Sequence, residues 1–344
     1  MDPHRIELSR EIIIGNDAFS QLPEILEKLE LKGPALLISG PTTFDVAGGE
    51  IENILEKRGF TVEREITSQV TRDELDRIKE EAGRSRFVLG VGGGRIIDTA
   101  KYIGTERGVP FISVPTAPSH DGIASSRATI NDKERRYSYQ ADAPSVILAD
   151  LETIKQAPEK LITAGCGDLV SNITAVEDWK LGERENNEYY SDYAAALSVL
   201  SAEIVMNSAN LIRERKERGI RNLIKALISA GISMSIAGSS RPCSGAEHQF
   251  SHALDHIAEK PGLHGHQCAI GTLLSARLHD MDWRSLKESM KELGIPLSIQ
   301  DQPFTEEEAI KAWKDAGSIR DRYTILDEKG AGNPKSLFKE VGII

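Results

Sequence analysis

A dense group of histidines lies between Cys243 and Cys268, a stretch that holds five of the chain's eight histidines. Neutral imidazole is the commonest metal ligand among side chains, so this density indicates a site for a divalent metal ion. The five are His248, His252, His256, His264 and His266. The first three stand four residues apart, which puts them on one face of a helix. His248 and His252 form an H-x-x-x-H pair in which both can be ligands, whereas His256 is expected on the helix surface.

Further ligands could come from outside this helix. His264 and His266 lie in the turn GLHGH, and either one offers an imidazole. Asp168 lies in the segment GCGDL, where we expect the start of a helix. Alone, an aspartate there is more often an N-cap, but with two imidazoles it completes a set that is typical of catalytic zinc sites. Cys243 and Cys268 could also coordinate, although buried free cysteines are usually inert.

Three consecutive glycines, Gly92, Gly93 and Gly94, follow an apolar run and precede a helical pattern. At such a turn, glycine lets backbone N–H groups approach a phosphate, and the helix N-terminus adds favourable electrostatics. The pattern is not a Rossmann fingerprint, because reading Gly90 and Gly92 as its first two glycines puts Arg95 where the third glycine should be. A plain tight turn is the alternative. Asp98 and Lys101 lie near the same end of the next helix.

A second polar loop, SVPTAPSHDG at residues 113–122, leaves the carboxyl end of the next predicted strand. Ligands of doubly wound sheets bind at that edge. Asp121 could bind a substrate hydroxyl or relay a proton, or it could form an Asx turn with Gly122. His120 is predicted to face solvent.

The elements that must position these residues differ between the two parts of the chain. Up to residue 150, short apolar runs alternate with helical patterns. They predict strands at residues 35–39, 60–66, 87–91, 110–114 and 145–149, and helices at 51–58, 71–82 and 96–103. Thr71 and Glu74 fit a capping box, and residues 131–138 read as a turn between two strands. Residues 1–150 are therefore predicted to form an α/β domain with a doubly wound, mainly parallel sheet that binds a nucleotide.

Helical periodicity dominates the rest of the chain. It predicts helices at residues 161–181, 190–214, 220–237, 247–258, 269–279 and 283–293. Residues 151–344 are therefore predicted to form an all-α domain that holds the metal and the substrate.

Composition excludes several classes of protein. The 344-residue chain has a formal net charge of −11, which argues against a nucleic-acid or anionic-membrane surface. Its three cysteines contain no CxxC pair, so neither a disulfide framework nor a zinc ribbon is expected. We see neither a signal-peptide pattern nor an apolar run long enough to span a bilayer. These features predict a cytoplasmic protein that neither binds nucleic acid nor inserts into a membrane.

Taken in order, the motifs GGGRIIDTAK, SVPTAPSHDG, GCGD and H-x-x-x-H…HG resemble those of the group-III, metal-dependent alcohol dehydrogenases. Glycerol dehydrogenase and dehydroquinate synthase are relatives of that family. The segment PTAPSHDGIASSRA is most similar to the archaeal sn-glycerol-1-phosphate dehydrogenases, and the resemblance extends over nearly the whole chain. It implies a dehydroquinate synthase-like fold. It also implies the reversible, zinc-dependent reduction of dihydroxyacetone phosphate to sn-glycerol 1-phosphate by NAD(P)H, the first step in making the archaeal phospholipid backbone.

The resemblance also implies a role for each matching residue. One Zn²⁺ per subunit would be held by Asp168, His248 and His264, and Asp168 would also touch the substrate. His252 and Asp121 become catalytic, substrate-binding residues. The nucleotide, NAD(H) or NADP(H), is assigned to Gly92, Gly93, Gly94, Arg95, Asp98, Thr116, Ala117, Ser119 and Ser125. The assembly of relatives implies a homo-oligomer, either a dimer or an octamer.

One departure from the NAD-specific relatives concerns the nucleotide. Residues 39–41, after the first predicted strand, contain no acid that would repel a 2′-phosphate, so we expect both NADH and NADPH to be accepted. The sequence does not say which cation holds the substrate phosphate. The basic residues near the relevant segments are Arg127, Lys133, Arg135, Arg136, Arg241 and Lys260. The alternatives are a glycerol dehydrogenase acting on unphosphorylated substrate, a dehydroquinate synthase-like lyase and an inactive nucleotide-binding scaffold.

Overall fold

The structure, a computed structural model, describes residues 6–68, 71–132 and 135–344, with only the backbone of residues 131–132 and 135–138. The chain forms two compact units, Met1–Pro158 and Glu159–Ile344. The first unit is α/β and the second consists of helices and their connections, so the predicted fold class is confirmed.

A six-stranded sheet forms the centre of the first unit. Its spatial order is β1-β8-β5-β4-β2-β3, and all neighbouring strands are parallel. The strands are β1 Glu11–Gly15, β2 Ala35–Ser39, β3 Val62–Ile66, β4 Phe87–Gly92, β5 Phe111–Pro115 and β8 Val146–Asp150, with β6 Arg127–Asp132 and β7 Arg135–Gln140 in a separate antiparallel pair. The helices of this unit are α1 Leu22–Lys28, α2 Pro41–Thr43, α3 Gly49–Lys57, α4 Arg72–Glu81, α5 Gly94–Arg107 and α6 Leu151–Lys155.

Both faces of the sheet are covered, which explains why its central strands read as continuous apolar runs. Along β2, Ala35 and Leu37 pack into a core with α1 and α3. Leu36 and Ile38 point to the opposite face and pack into a core with α4 and α5. This alternation is the expected consequence of the two-residue repeat of a strand, and it confirms the doubly wound arrangement.

Two parts of the α/β unit differ from the sequence prediction. Residues 131–138 were predicted as a turn, but residues 131–132 and 135–138 belong to β6 and β7 of a hairpin, and residues 133–134 lie outside the described part. These strands are not buried on both faces like those of the main sheet, because they form a separate pair. Polar residues can therefore occupy them, and they give no apolar run that would predict a strand. The edge strand β1 was not predicted, and it pairs with β8.

The predicted capping box of α4 forms in one direction. The Thr71 hydroxyl accepts a hydrogen bond from the Glu74 N–H at 3.3 Å. The Glu74 carboxylate, however, accepts hydrogen bonds from Arg77. Glu74 therefore contributes to an ion pair on the surface of α4.

The second unit contains eleven helices among the described residues. They are α7 Glu159–Val170, α8 Asn172–Asn186, α9 Asp192–Met206, α10 Ala209–Arg213, α11 Glu217–Ala237, α12 Ala246–Ile257, α13 His264–Leu278, α14 Trp283–Glu292, α15 Glu306–Asp315, α16 Ile325–Lys329 and α17 Pro334–Glu340. The long helix predicted at 161–181 is interrupted at Ser171, and the one predicted at 190–214 is interrupted at residues 207–208. The apolar periodicity continues across both interruptions, so it did not reveal them.

Helix α11 is the one candidate membrane span among the described residues, by length and composition. This corrects the expectation that no apolar run is long enough. Of its most apolar 18-residue window, 67% is buried inside the protein. Apolar side chains that pack inside the protein are typical of a core helix.

Candidate active site

Helix α12 positions His248 and His252, and its first turn is held by buried carboxylates. Asp178 accepts a hydrogen bond from the Ala246 N–H at 2.7 Å, and Glu247 accepts one from the Gly245 N–H at 2.5 Å. Carboxylates satisfy the unpaired N–H groups of a helix start and interact favourably with its dipole. This fixes where α12 begins, and therefore which way its histidines point.

Asp168 and His264 are brought together by the close contact between helices α7 and α13. A Cβ atom on Gly167 would lie 2.3 Å from the Gly265 carbonyl oxygen, and one on Gly265 would lie 1.8 Å from the Ala164 carbonyl oxygen. Only glycine allows two backbones to approach so closely. These glycines therefore mark a helix–helix contact.

This contact corrects two predictions. Asp168 is not at a helix start but near the end of α7, which runs from Glu159 to Val170. His264 is not in a turn but is the first residue of α13. The glycines of GCGD and GLHGH resembled helix breakers, whereas here they lie within helices because a neighbouring backbone occupies the space of a side chain.

The three predicted metal ligands converge. The Asp168 Oδ1 atom lies 3.5 Å from the Nε2 atom of His264 and 3.8 Å from the Nε2 atom of His248. Cys268 joins them, and the four ligand atoms lie within 4.8 Å of one another. Asp168 is only 3% exposed, so its carboxylate has lost most of its hydration. Burying this charge is unfavourable unless a cation compensates it.

Neighbouring side chains orient both imidazoles. The Nδ1 atom of His248 lies 3.0 Å from the Glu247 Oε1 atom, and the Nδ1 atom of His264 lies 2.8 Å from the Ser251 hydroxyl. Each ring thus uses Nδ1 for a hydrogen bond and turns Nε2 toward Asp168. An imidazole held in this way is the usual arrangement around a protein-bound metal.

The protonation state of His248 also suits a ligand. Burial, together with the charges of Arg320 and Arg322, lowers the pKa of His248 to about 3, so its imidazole is neutral near pH 7. A buried carboxylate, a neutral imidazole at His248 and the converging Nε2 atoms of His248 and His264 fit a divalent cation. Burial raises the pKa of the Cys268 thiol well above its ordinary value.

Two members of this site were missed or underrated by the sequence prediction. Cys268 is only a weak candidate ligand from the sequence, yet its Sγ atom lies 3.6 Å from the Nε2 atom of His264. Its i, i+4 spacing from His264 would have indicated the contact, had the helix been predicted to start at residue 264. Glu247 was not singled out, and only its position beside His248 could have drawn attention to it.

The other three histidines of the cluster are not part of the ligand group. His252 is half-buried, and its ring centroid lies 6.0 Å from that of His264. His256 is exposed, as predicted. His266 was kept as an alternative ligand, but its Nε2 atom lies 2.9 Å from the Thr163 hydroxyl, and burial lowers its pKa to about 4.

The α/β unit brings its two predicted loops together. Gly92 and Pro115 are register partners at the carboxyl ends of β4 and β5, and the Thr116 N–H donates to the Gly92 carbonyl at 3.0 Å. Gly93 is the N-cap of α5, and Gly94 is its first residue. The glycine turn is thus the strand-to-helix junction that was predicted.

The imidazole of His120 lies on this junction, which corrects its predicted position in solvent. It is half-buried, and its Nδ1 atom accepts a hydrogen bond from the Gly122 N–H at 2.8 Å. A Cβ atom on Gly94 would lie 1.7 Å from the Nε2 atom of His120. A side chain at position 94 would therefore displace this ring, whereas glycine leaves room for it and also suits a phosphate.

Asp98 and Lys101 tie α5 to the second loop. The buried Lys101 ammonium donates to the carbonyls of Gly122 and Arg127 at 2.7 and 2.6 Å. The Asp98 carboxylate accepts a hydrogen bond from the Thr129 N–H at 3.0 Å and lies 3.4 Å from Lys101. Burial lowers the pKa of Lys101, although Asp98 opposes this effect.

The other predicted nucleotide residues lie at the same edge of the sheet or close to it in the chain. Thr116, Ala117 and Ser125 are buried, Ser119 is half-buried, and Arg95 is exposed. Asp121 begins a short 3-10 helix, Asp121–Ile123, and its carbonyl accepts a hydrogen bond from the Ser125 N–H at 3.2 Å.

Of the six basic residues considered for the substrate phosphate, Arg241 forms a bidentate ion pair with Glu188. Lys260 is exposed, and burial lowers the pKa of Arg127. Lys133 and the side chains of Arg135 and Arg136 lie outside the described part of the chain.

Comparison with known proteins relates this chain to dehydrogenases. A family model described as iron-containing alcohol dehydrogenase matches residues 13–158. A glycerol-1-phosphate dehydrogenase (NAD(P)+) of Methanosarcina acetivorans is 46% identical over 324 residues, which cover 93% of this chain and 91% of the relative. One of Pyrococcus furiosus is 44% identical over 330 residues, 95% of each chain.

Two solved structures share the fold of this chain, although their sequences are much less identical to it than those of the two relatives above. Glycerol dehydrogenase from Schizosaccharomyces pombe has a TM-score of 0.79 at 19% identity, covering 100% of this chain and 94% of that one. A probable glycerol dehydrogenase from Sinorhizobium meliloti has a TM-score of 0.82 at 18% identity, covering 99% of each. With close relatives matched along almost its whole length, the chain belongs to the glycerol-1-phosphate dehydrogenase family of oxidoreductases.

Proposed function

We propose that this protein reduces dihydroxyacetone phosphate to sn-glycerol 1-phosphate with NADH or NADPH, in a reversible reaction that depends on a divalent metal ion. The observation that supports this most is the convergence of Asp168, His248 and His264 in a chain of this family. The product would supply the glycerol backbone of archaeal phospholipids.

In this proposal, Asp168, His248 and His264 hold the metal, and zinc is the ion we expect. A divalent ion bound there supplies a Lewis acid that polarises the C2 carbonyl, while the nicotinamide supplies a hydride to C2. Glu247 and Ser251 keep the two imidazoles in the tautomer that leaves Nε2 available. The Sγ atom of Cys268 lies in the same group of ligand atoms, but we propose Asp168, His248 and His264 as the ligand set.

His252 and Asp121 are the residues we propose for the proton. His252 lies one helical turn after His248 on α12, so it belongs to the same helix face as a ligand. Its imidazole would donate a proton to the C2 oxygen as the hydride arrives at C2, which completes the alcohol. Asp121, from the second loop, is the alternative donor and a substrate-binding residue.

The nucleotide is proposed to lie along the carboxyl edge of the parallel sheet. The N–H groups at the start of α5 would bind the pyrophosphate, next to Gly92, Gly93 and Gly94. Arg95, Asp98, Thr116, Ala117, Ser119 and Ser125 complete the proposed contacts. Residues 39–41, at the end of β2 and directly after it, contain no acid, and the Ser39 hydroxyl donates to the Val91 carbonyl at 2.8 Å. This supports acceptance of NADPH as well as NADH.

Three further properties are part of the proposal. We expect a cytoplasmic enzyme that does not insert into membranes, because α11 is mostly buried in the protein. We expect a homo-oligomer, either a dimer or an octamer. We expect no nucleic-acid partner, because the net charge of −11 would repel a phosphate backbone.

The test measures NADH and NADPH oxidation by the zinc-loaded enzyme with dihydroxyacetone phosphate and with dihydroxyacetone. We expect turnover with both nucleotides. We also expect kcat/KM to be roughly 100-fold or more higher for the phosphorylated substrate, because each charge-assisted hydrogen bond contributes about 1.5–3 kcal/mol.

Chiral analysis of the product completes the experiment. The sn-glycerol 1-phosphate enantiomer is expected. A preference for unphosphorylated dihydroxyacetone would identify a glycerol dehydrogenase instead, and the absence of NADPH turnover would refute dual nucleotide use.

A further inference from the structure

We infer that Arg320 and Arg322 bind the phosphate group of the substrate beside the metal-ligand group. This inference rests on the proposed function, and it names the cations that the sequence left unidentified. Neither arginine was among the six candidates considered from the sequence. Both belong to the second unit, which also contains Asp168, His248 and His264.

The segment that carries these arginines is fixed against the start of helix α12. Arg322 donates from Nη1 to the Ser244 carbonyl at 2.5 Å and from Nη2 to the Ser240 hydroxyl at 2.8 Å. Two residues later, the Thr324 hydroxyl donates to Gln249 Oε1 at 3.0 Å. Helix α12 carries His248 and His252, so these bonds place the segment next to the proposed catalytic residues.

A second set of bonds holds the same segment from the other side. The Arg241 Nη1 atom donates to the Tyr323 carbonyl at 2.8 Å. Arg241 pairs its own charge with Glu188. It therefore acts as a support for the segment, and its charge is already matched by a carboxylate.

Arg322, unlike Arg241, donates its hydrogen bonds to uncharged groups. Both of its acceptors are neutral, a carbonyl and a hydroxyl. The nearby Glu247 uses its oxygens for the Gly245 N–H, the Thr174 hydroxyl and His248. Glu247 and Glu188 partly offset the charge of Arg322, but among the described residues no carboxylate forms an ion pair with it. An anion placed there therefore gains a favourable partner.

Arg320 adds a second positive charge in the same neighbourhood. Arg320 lies two residues before Arg322 in the segment that is hydrogen-bonded to the start of α12, and the two positive charges repel each other. Both residues are half-buried, so each keeps some exposure to solvent.

Phosphate is the anion that fits two guanidinium groups best. A guanidinium presents a planar fork of N–H donors that matches a phosphate bidentately. The substrate phosphate and the 2′-phosphate of NADPH share this chemistry. We assign the substrate phosphate, because Arg322 is hydrogen-bonded to Ser244, just before the helix that carries His248, while the proposed nucleotide residues belong to the first unit.

The experiment compares the zinc-loaded variants Arg320→Gln and Arg322→Gln with the wild-type enzyme. For each, kcat/KM is measured for dihydroxyacetone phosphate, dihydroxyacetone, NADH and NADPH, and inorganic phosphate is tested as a competitive inhibitor. We expect each variant to lose about tenfold or more in kcat/KM for the phosphorylated substrate and in phosphate inhibition. The values for dihydroxyacetone and both nucleotides should change little.

Arg322→Lys separates charge from support, because it keeps the cation while losing the forked hydrogen bonds. It should retain more phosphate inhibition than Arg322→Gln. Arg221→Ala serves as the matched control, since Arg221 forms a surface ion pair with Glu217 on α11. Zinc content and thermal unfolding establish that each variant is folded and loaded.

The alternative results are distinct. Equal losses on phosphorylated and unphosphorylated substrates would mean that the arginines act through the metal ligands, and would overturn the inference. A selective loss with NADPH would assign them to the nucleotide, which also overturns it. If wild-type enzyme does not reduce dihydroxyacetone phosphate, the proposed function fails, whereas the effect of Arg320→Gln on phosphate binding still tests the anion site by itself.

Discussion

At the residue scale, the orientation of His248 depends on a neighbour that contributes no ligand atom. Glu247 is fully buried and accepts from the Gly245 N–H, the Thr174 hydroxyl and His248 Nδ1. Burial raises the pKa of Glu247, while the hydrogen bonds from Gly245 and Thr174 oppose the rise. A carboxylate in this position both fixes the ring and increases the basicity of Nε2.

Glu247→Gln is therefore expected to weaken metal binding by about 10- to 100-fold. The amide oxygen can still accept a hydrogen bond from Gly245, so the fold should be retained. Competition with a chromogenic chelator measures the affinity, and Glu177→Gln on the surface of α8 is the control. Unchanged zinc affinity in a folded Glu247→Gln enzyme would show that the carboxylate only caps the helix.

At the element scale, the site depends on how closely α7 and α13 approach. The Cβ atom of an alanine at position 265 would lie 1.8 Å from the Ala164 carbonyl oxygen, which forces the backbones apart. Overpacking of this kind costs about 1–3 kcal/mol. Gly265→Ala should therefore lower the free energy of unfolding by this amount and also weaken zinc binding, since Asp168 and His264 lie on the two helices.

Urea unfolding and zinc titration test this expectation. Gly317→Ala is the matched control in the same unit, because its Cβ would meet only Leu326 at an ordinary 3.6 Å. A Gly265→Ala protein with wild-type stability and zinc affinity would mean that the two helices can separate without cost.

The same contact explains what the sequence could predict at this scale. The four-residue spacing of His248 and His252 correctly predicted a helix, because that pattern is local. The positions of Asp168 and His264 within their helices were predicted wrongly. Gly167 and Gly265 allow two helices to touch that lie about a hundred residues apart in the chain, and they do not end those helices. Local propensity contains no information about such a contact.

At the scale of the whole molecule, periodicity was sufficient for the fold class. Buried strands such as β2 and β4 read as apolar runs because both faces of the sheet are covered, so their positions were predicted closely. Polar strands β6 and β7 lie outside that sheet and gave no such signal. Likewise, nothing local marked Arg320 and Arg322, since their significance depends on hydrogen bonds to Ser240 and Ser244 far earlier in the chain.

The division into two units leads to a prediction about metal removal. The proposed nucleotide residues belong to Met1–Pro158, whereas the proposed metal ligands belong to Glu159–Ile344. The hydrogen bonds that shape the glycine turn, from Thr116 to Gly92 and from Lys101 to Gly122, lie wholly within the first unit. Chelation of the metal should therefore abolish turnover while leaving the affinity for NADH nearly unchanged.

Fluorescence titration of NADH with the zinc-loaded and the chelated enzyme measures this affinity, and restored activity after zinc is added back provides the control. Full activity in the metal-free protein would contradict the proposed mechanism, and a large loss of NADH affinity would show that the metal also organises the nucleotide site.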